Sequence, residues 1–146
     1  MNKHLIALAG LALLLGGCAS HHHHGPMRGA ERPVVEVAAD GVKAVRPDPL
    51  RFRQGQGAAV IIWRLGADGY TFPANGIVID GELDRPRGKL KSRDQNEIID
   101  CKPLANGRQF QCIYRNSRPG AFKYTVNVLR DGKALPPFDP EITNME

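Results

Sequence analysis

The sequence predicts one small all-β domain, an antiparallel β-sandwich of about seven to nine strands, on three observations. Short runs of β-forming residues recur between clusters of Gly, Pro, Asn and Asp. Phe122, Tyr124, Val126 and Val128 alternate strictly with Lys123, Thr125, Asn127 and Leu129, the period of a strand with one buried face. No stretch carries a convincing helical period. The 114 residues 33–146 are a usual size for a single core, and no second domain is expected.

Each element follows from its own residues. Residues 34–38 and 42–45 flank Asp40-Gly41 and read as a hairpin. Leu50 and Phe52 alternate with Arg51 and Arg53. Residues 58–64, Ala-Ala-Val-Ile-Ile-Trp-Arg, form a continuous apolar run, as expected of a central strand covered on both faces, with Trp63 as core anchor. Residues 77–79 follow a turn-rich stretch, and 97–102, 109–114 and 121–129 complete the set. The tail Pro136-Pro137-Phe138-Asp139-Pro140 lacks the donors of a central strand and reads as an extended cover. Residues 18–32 have neither period and read as a disordered, His-rich tether. The 14 residues after Cys18 reach at most about 46 Å when extended, and about 20 Å as a coil.

Residues 1–17 have the parts of an export signal: Lys3, an apolar run over 5–15, and small residues before a cysteine. That run is too short to span a bilayer core, which needs about 20 residues, so it is read as cleaved. Leu15-Gly16-Gly17-Cys18 resembles the lipobox of bacterial lipoproteins. The resemblance implies a diacylglycerol on the Cys18 sulfur and cleavage that leaves Cys18 first. It also implies a place in the cell envelope, and Ala19, rather than Asp, after the cysteine favours the outer membrane, facing the periplasm. Two or three acyl chains make such an anchor stable. Without Lys3 the chain carries 19 basic against 15 acidic residues, a net charge of +4 that suits an anionic partner without requiring one.

The other two cysteines, Cys101 and Cys112, form an even pair in an oxidising compartment and predict a disulfide. A turn centred on Asn106-Gly107 sets them directly opposite each other. A two-residue turn would place them and Pro103 at hydrogen-bonded positions. A four-residue loop over 105–108 places all three at non-hydrogen-bonded positions, where proline loses no amide and side chains lie closer, and is the expectation.

The pattern over about residues 34–130, with its Val-Ile-Ile-Trp strand and closing Gly-x-Phe-x-Tyr-x-Val strand, is similar to cupredoxin-like and immunoglobulin-like periplasmic domains. The likeness implies a fold and carries little about function. Blue-copper proteins bind their metal through two His, a Cys and usually an axial Met. Residues 25–146 contain no histidine and the disulfide claims Cys112, so that ligand set is missing. The same absence removes Ser-His-Asp and Cys-His catalysis and His-ligated zinc from the domain. Neither an enzyme nor a bound cofactor is expected.

Three features remain. Asp80, Glu82 and Asp84 alternate as three carboxylates on one strand face would, yet the run lacks the other ligands of a calcium loop and suits an exposed strand end better. His21, His22, His23 and His24 read as a polar spacer or as a metal-binding cluster for Zn, Cu or Ni. Arg85, Arg87, Lys89, Lys91 and Arg93 recur at every second position and, if extended, form one basic edge. That edge suits either an anionic ligand or a charged strand that resists pairing. No aromatics interleave the charges for base stacking, so nucleic acid is not an expected partner. The expectation is a membrane-anchored, non-catalytic binding or envelope accessory module, its partner an envelope protein or an anionic envelope component. The alternative is a metal-handling lipoprotein using His21–His24.

Overall fold

The computed structural model describes residues 28–104 and 106–144. The signal at 1–17, Cys18 and His21–His24 lie outside the described residues.

Among the described residues there are fourteen strands: β1 Arg28–Glu31, β2 Val34–Ala38, β3 Gly41–Arg46, β4 Leu50–Arg51, β5 Ala59–Leu65, β6 Tyr70–Thr71 and β7 Ile77–Leu83. There follow β8 Leu90–Ser92, β9 Ile98–Pro103, β10 Gln109–Tyr114, β11 Ala121–Val126, β12 Leu129–Arg130, β13 Lys133–Ala134 and β14 Glu141–Thr143. Seven of them, β2, β3, β5, β7, β9, β10 and β11, have five residues or more, and the additional ones are short pairings that no sequence period of two can announce. One sheet has the order β3-β2-β5-β10-β9, with β1 also on β5; the second has the order β4-β14-β11-β7-β8; β13-β12-β6 form a small third.

The fold is an all-β sandwich whose core lies between the two larger sheets. Trp63, Phe110 and Tyr114 project from the first sheet onto Phe122, Tyr124 and Ile142 of the second. Edge-on aromatic pairs cross the gap, Trp63 with Tyr124 at 5.4 Å between centroids and Tyr114 with Phe122 at 6.0 Å. The Trp63 indole N–H donates to the Tyr124 hydroxyl at 3.1 Å, so the anchor's one polar atom is satisfied. Phe122, Tyr124, Val126 and Val128 are all buried, as their alternation predicts. Pro136–140 does act as a cover: Val126 and Phe138 exchange backbone hydrogen bonds, and Tyr124 N–H donates to the Pro140 carbonyl.

Three expectations change. The tether ends sooner than residue 32, because Arg28–Glu31 pairs in parallel with β5. Four residues without an apolar alternation become a strand because the lower half of the β5 edge is open: β2 meets β5 only at Val34 and Val35. Strand β5 is central but covered on one face. Ala59, Ile61, Trp63 and Leu65 are buried, whereas Val60 and Ile62 are half-buried and Arg64 is exposed. The sandwich is also not purely antiparallel, since β1 and β2 run parallel to β5 and β4 runs parallel to β14.

The cysteine hairpin has the expected register and one refinement. Lys102 and Pro103 pair with Gln111 and Phe110, and Leu104 N–H donates to the Gln109 carbonyl at 2.9 Å, which makes 105–108 a four-residue loop. Cys101 and Cys112 lie at disulfide distance, with Cα atoms 4.1 Å apart. Below them Asp100 adopts φ 53° and the register shifts, a bulge that begins directly beneath the pair.

Candidate functional site

The chemistry-bearing side chains gather at one end of the sandwich, called the lower end here, where β1 and β5 begin, β10 finishes and β11 starts. A bulge in β7 brings the first of them in. Tyr124 pairs with Ile79, but Lys123 and Phe122 pair with Gly81 and Glu82, so one extra residue enters the strand. Ile79 and Glu82, three apart, therefore face the core on the same side as Tyr124 and Phe122. Gly81 makes this possible: it sits at φ 143°, and a Cβ there would lie 2.1 Å from the Ser92 carbonyl oxygen.

Glu82 is thus an inward-facing acid, 8 % exposed. Its carboxylate accepts from Arg118 at 2.8 Å and from Lys91 at 3.1 Å. The Arg118 hydrogen bond holds its carboxyl below the ordinary range, with Lys91 helping, against the opposing cost of burial. The Arg118 guanidinium, raised in turn chiefly by Glu82, lies 5.8 Å from the Phe122 ring centroid and 3.9 Å from a second buried acid, Glu97. Glu97 accepts from the Ser117 amide at 2.9 Å and from the Ser117 hydroxyl.

Two buried asparagines lock the surrounding loops. Asn116, at φ 52°, donates through Nδ2 to the carbonyls of Arg53 at 3.0 Å and Gly57 at 3.3 Å. Asn144 donates to the Asn116 side-chain oxygen and to the Arg118 carbonyl, and accepts from Gly120 N–H at 2.6 Å. The network is closed, with each amide oxygen and nitrogen employed. The exception beside it is Tyr114, whose buried hydroxyl has no hydrogen-bond partner among the described residues and whose acidity burial suppresses, Glu97 adding to the effect.

Around this plug the surface is basic. Arg51, Arg53, Arg85 and Arg115 are exposed, and none of them forms an ion pair among the described residues. Arg51 opens onto a cleft of about 400 Å³ shared with Phe52, Pro86, Arg87, Asp48 and Glu141. Glu141 is already engaged there, accepting the Arg87 backbone N–H at 2.9 and 3.0 Å, and Asp48 accepts the Glu141 N–H at 3.1 Å. Nothing in this set pairs a nucleophile with a base or aims a free carboxylate into the cleft. What the surrounding loops present is the fixed charge of Arg53, Arg85 and Arg115, while within the cleft Arg51 and Arg87 stand beside Asp48 and Glu141. Neither a family model nor a curated protein sequence matches this chain.

The basic run singled out in the sequence is not one edge. Gly88 N–H donates to the Arg85 carbonyl and Asp84 N–H to the Lys89 carbonyl, so Arg85-Pro86-Arg87-Gly88 is a turn and only Leu90–Ser92 is strand. Arg87 sits at φ 55° over the cleft, Lys91 is spent on Glu82, Arg85 opens the turn and Lys89 follows it. The carboxylates at 80, 82 and 84 also part company. Asp80 accepts from Thr125 on the outer face, Glu82 turns inward, and Asp84 stands in the turn. Among the described residues no three His, Cys, Asp or Glu side chains gather as a metal site.

Sequence reasoning missed Glu97, Asn116, Ser117, Arg118 and Asn144 altogether. Gly81, inside a strand pattern, was the signal available for the bulge that turns Glu82 inward.

Proposed function

We propose that this chain is a membrane-anchored lipoprotein of the bacterial envelope, facing the periplasm, whose sandwich is a non-catalytic binding or accessory module. The observation that carries the reading is the spacing at the N-terminus: Leu15-Gly16-Gly17-Cys18 stands ten positions before the first strand. A lipid on Cys18 would hold such a domain against the bilayer, and a chain of that length, at most about 3.5 Å per residue, gives it little room to leave. The non-catalytic part rests on the residues available: residues 25–146 contain no histidine, and the buried acids at the lower end are occupied by arginine, lysine and serine.

The test is fractionation. Wild-type protein stays with membranes through a high-salt wash, whereas Cys18→Ser is released into the soluble fraction, since a signal of this length does not span a bilayer. Retention of Cys18→Ser after the wash overturns the lipid anchor.

A further inference from the structure

We propose that the lower end of the sandwich is a docking surface for anionic phospholipid headgroups, with Arg51, Arg53 and Arg115 as its contacts; the proposal rests on the lipid-anchor reading and adds an orientation to it. Three observations converge on that end.

The first is where the chain enters. Arg28 pairs with Ala59, which pairs with Tyr114, so β1 begins at the end that carries Arg115. The nine residues between Cys18 and Arg28 span at most about 32 Å. Strand β5 alone runs seven residues, roughly 23 Å, from this end toward the other. Turning the upper end to a membrane would use most of the tether simply to run back along the domain, whereas the lower end needs none of it.

The second is charge. The three arginines are exposed and unpaired among the described residues, and they are neighbours: the Arg53 carbonyl accepts from Asn116, the residue after Arg115, and Arg51 is two residues before Arg53. Two acids of this end are turned inward, Glu82 onto Arg118 and Lys91, Glu97 onto Ser117. The surface acids of this region are Asp84 and Asp94, which adjoin Arg85 and Arg93 in the chain, and exposed Asp48 and half-buried Glu141, which share the Arg51 cleft with Arg87.

The third is rigidity. The loops carrying Arg53 and Arg115 are tied to each other and to the C-terminal strand by Asn116 and Asn144, so the charges are already held in place and little ordering is needed on contact.

The experiment uses the full chain with Cys18→Ser, so that binding measures the protein surface and not the acyl chains. This parent is expected to bind vesicles of phosphatidylglycerol in phosphatidylcholine, to ignore phosphatidylcholine alone, and to lose binding as salt rises. Adding Arg51→Gln, Arg53→Gln and Arg115→Gln weakens binding about 100-fold, near fivefold for each basic residue at an anionic surface. A charge-matched control, Arg64→Gln with Lys102→Gln and Lys133→Gln at exposed positions toward the upper end, leaves it within about threefold, since those residues stay beyond a Debye length of about 10 Å from the vesicle. Melting temperatures of both triple variants are compared with the parent, and if the first melts early, the single changes Arg53→Gln and Arg115→Gln are read instead. The proposal is overturned by a parent that does not bind the anionic vesicles, by equal losses in the two triple variants, or by polyglutamate displacing the vesicles at a matched charge concentration, which would make the surface one for acidic protein. Mass analysis of the wild-type N-terminus separates this from the anchor: an unmodified Cys18 overturns the lipoprotein reading whatever the vesicles show, and a lipidated Cys18 beside a non-binding parent overturns the docking surface alone.

Discussion

Two buried tyrosines show how far a single atom's surroundings decide its worth. Tyr124 Oη accepts from the Trp63 indole, so Tyr124→Phe strands a buried N–H, and a loss of about 1 to 2 kcal/mol is expected in urea unfolding. Tyr114 Oη has no partner among the described residues, so Tyr114→Phe removes an oxygen that folding had stripped of water without return, and stability should rise or hold within about 0.5 kcal/mol. Equal losses at the two positions would show that the Tyr114 hydroxyl has a hydrogen bond after all. At this scale the apolar core was legible, because Trp63, Phe122, Tyr124 and Val126 follow from alternation and size. Glu82, Glu97, Asn116 and Asn144 were not, because composition places charged and amide side chains outside, and only their partners, distant in sequence, make burial tolerable.

Among the elements, the β9–β10 hairpin was the best foreseen, since both its loop length and the facing of its cysteines follow from where Pro103 can sit without losing a hydrogen bond. Replacing Cys101 and Cys112 together by alanine is expected to lower stability by about 3 kcal/mol through loop entropy, measured by chemical denaturation without reductant. Two free thiols titrated in the unreduced wild-type protein would rule out the bond. The elements that escaped prediction share a cause. Strand β1 owes its existence to a vacant stretch of the β5 edge, and the Arg85–Gly88 turn to residues whose alternating charges imitate an extended strand until Pro86 and Gly88 are taken together.

For the molecule as a whole, the Glu82–Arg118–Glu97 contact joins the two sheets, Glu82 coming from β7 of one and Glu97 from the bend immediately before β9 of the other. The Glu82 carboxyl is held below its ordinary value of 4.5, so the stability it contributes is complete above about that pH and is lost as pH falls through the lower, folded value. Glu82→Gln is expected to cost about 2 kcal/mol near neutral pH, less than a fully buried pair, because the Arg118 side chain is 40 % exposed. Unfolding curves of the two proteins should converge on acidification. A gap that stays unchanged down to the most acidic pH at which both proteins still fold would assign the loss to packing instead. The sandwich itself was readable from length and strand period; the pairing of sheet to sheet through a buried acid was not, since it depends on a one-residue bulge.

The free margin of β9 has a consequence for crowding. Asp100 bulges out of it at φ 53°, the disulfide binds it back to β10, and Pro103, at a non-hydrogen-bonded position, has no N–H where an outward donor would stand. The second sheet is bounded by β4 and β8, of two and three residues. Copies anchored in a bilayer as proposed would share two dimensions instead of three and collide far more often than in solution. A margin that offers a neighbour a broken ladder keeps β9 from zipping onto the edge of another copy in such a layer.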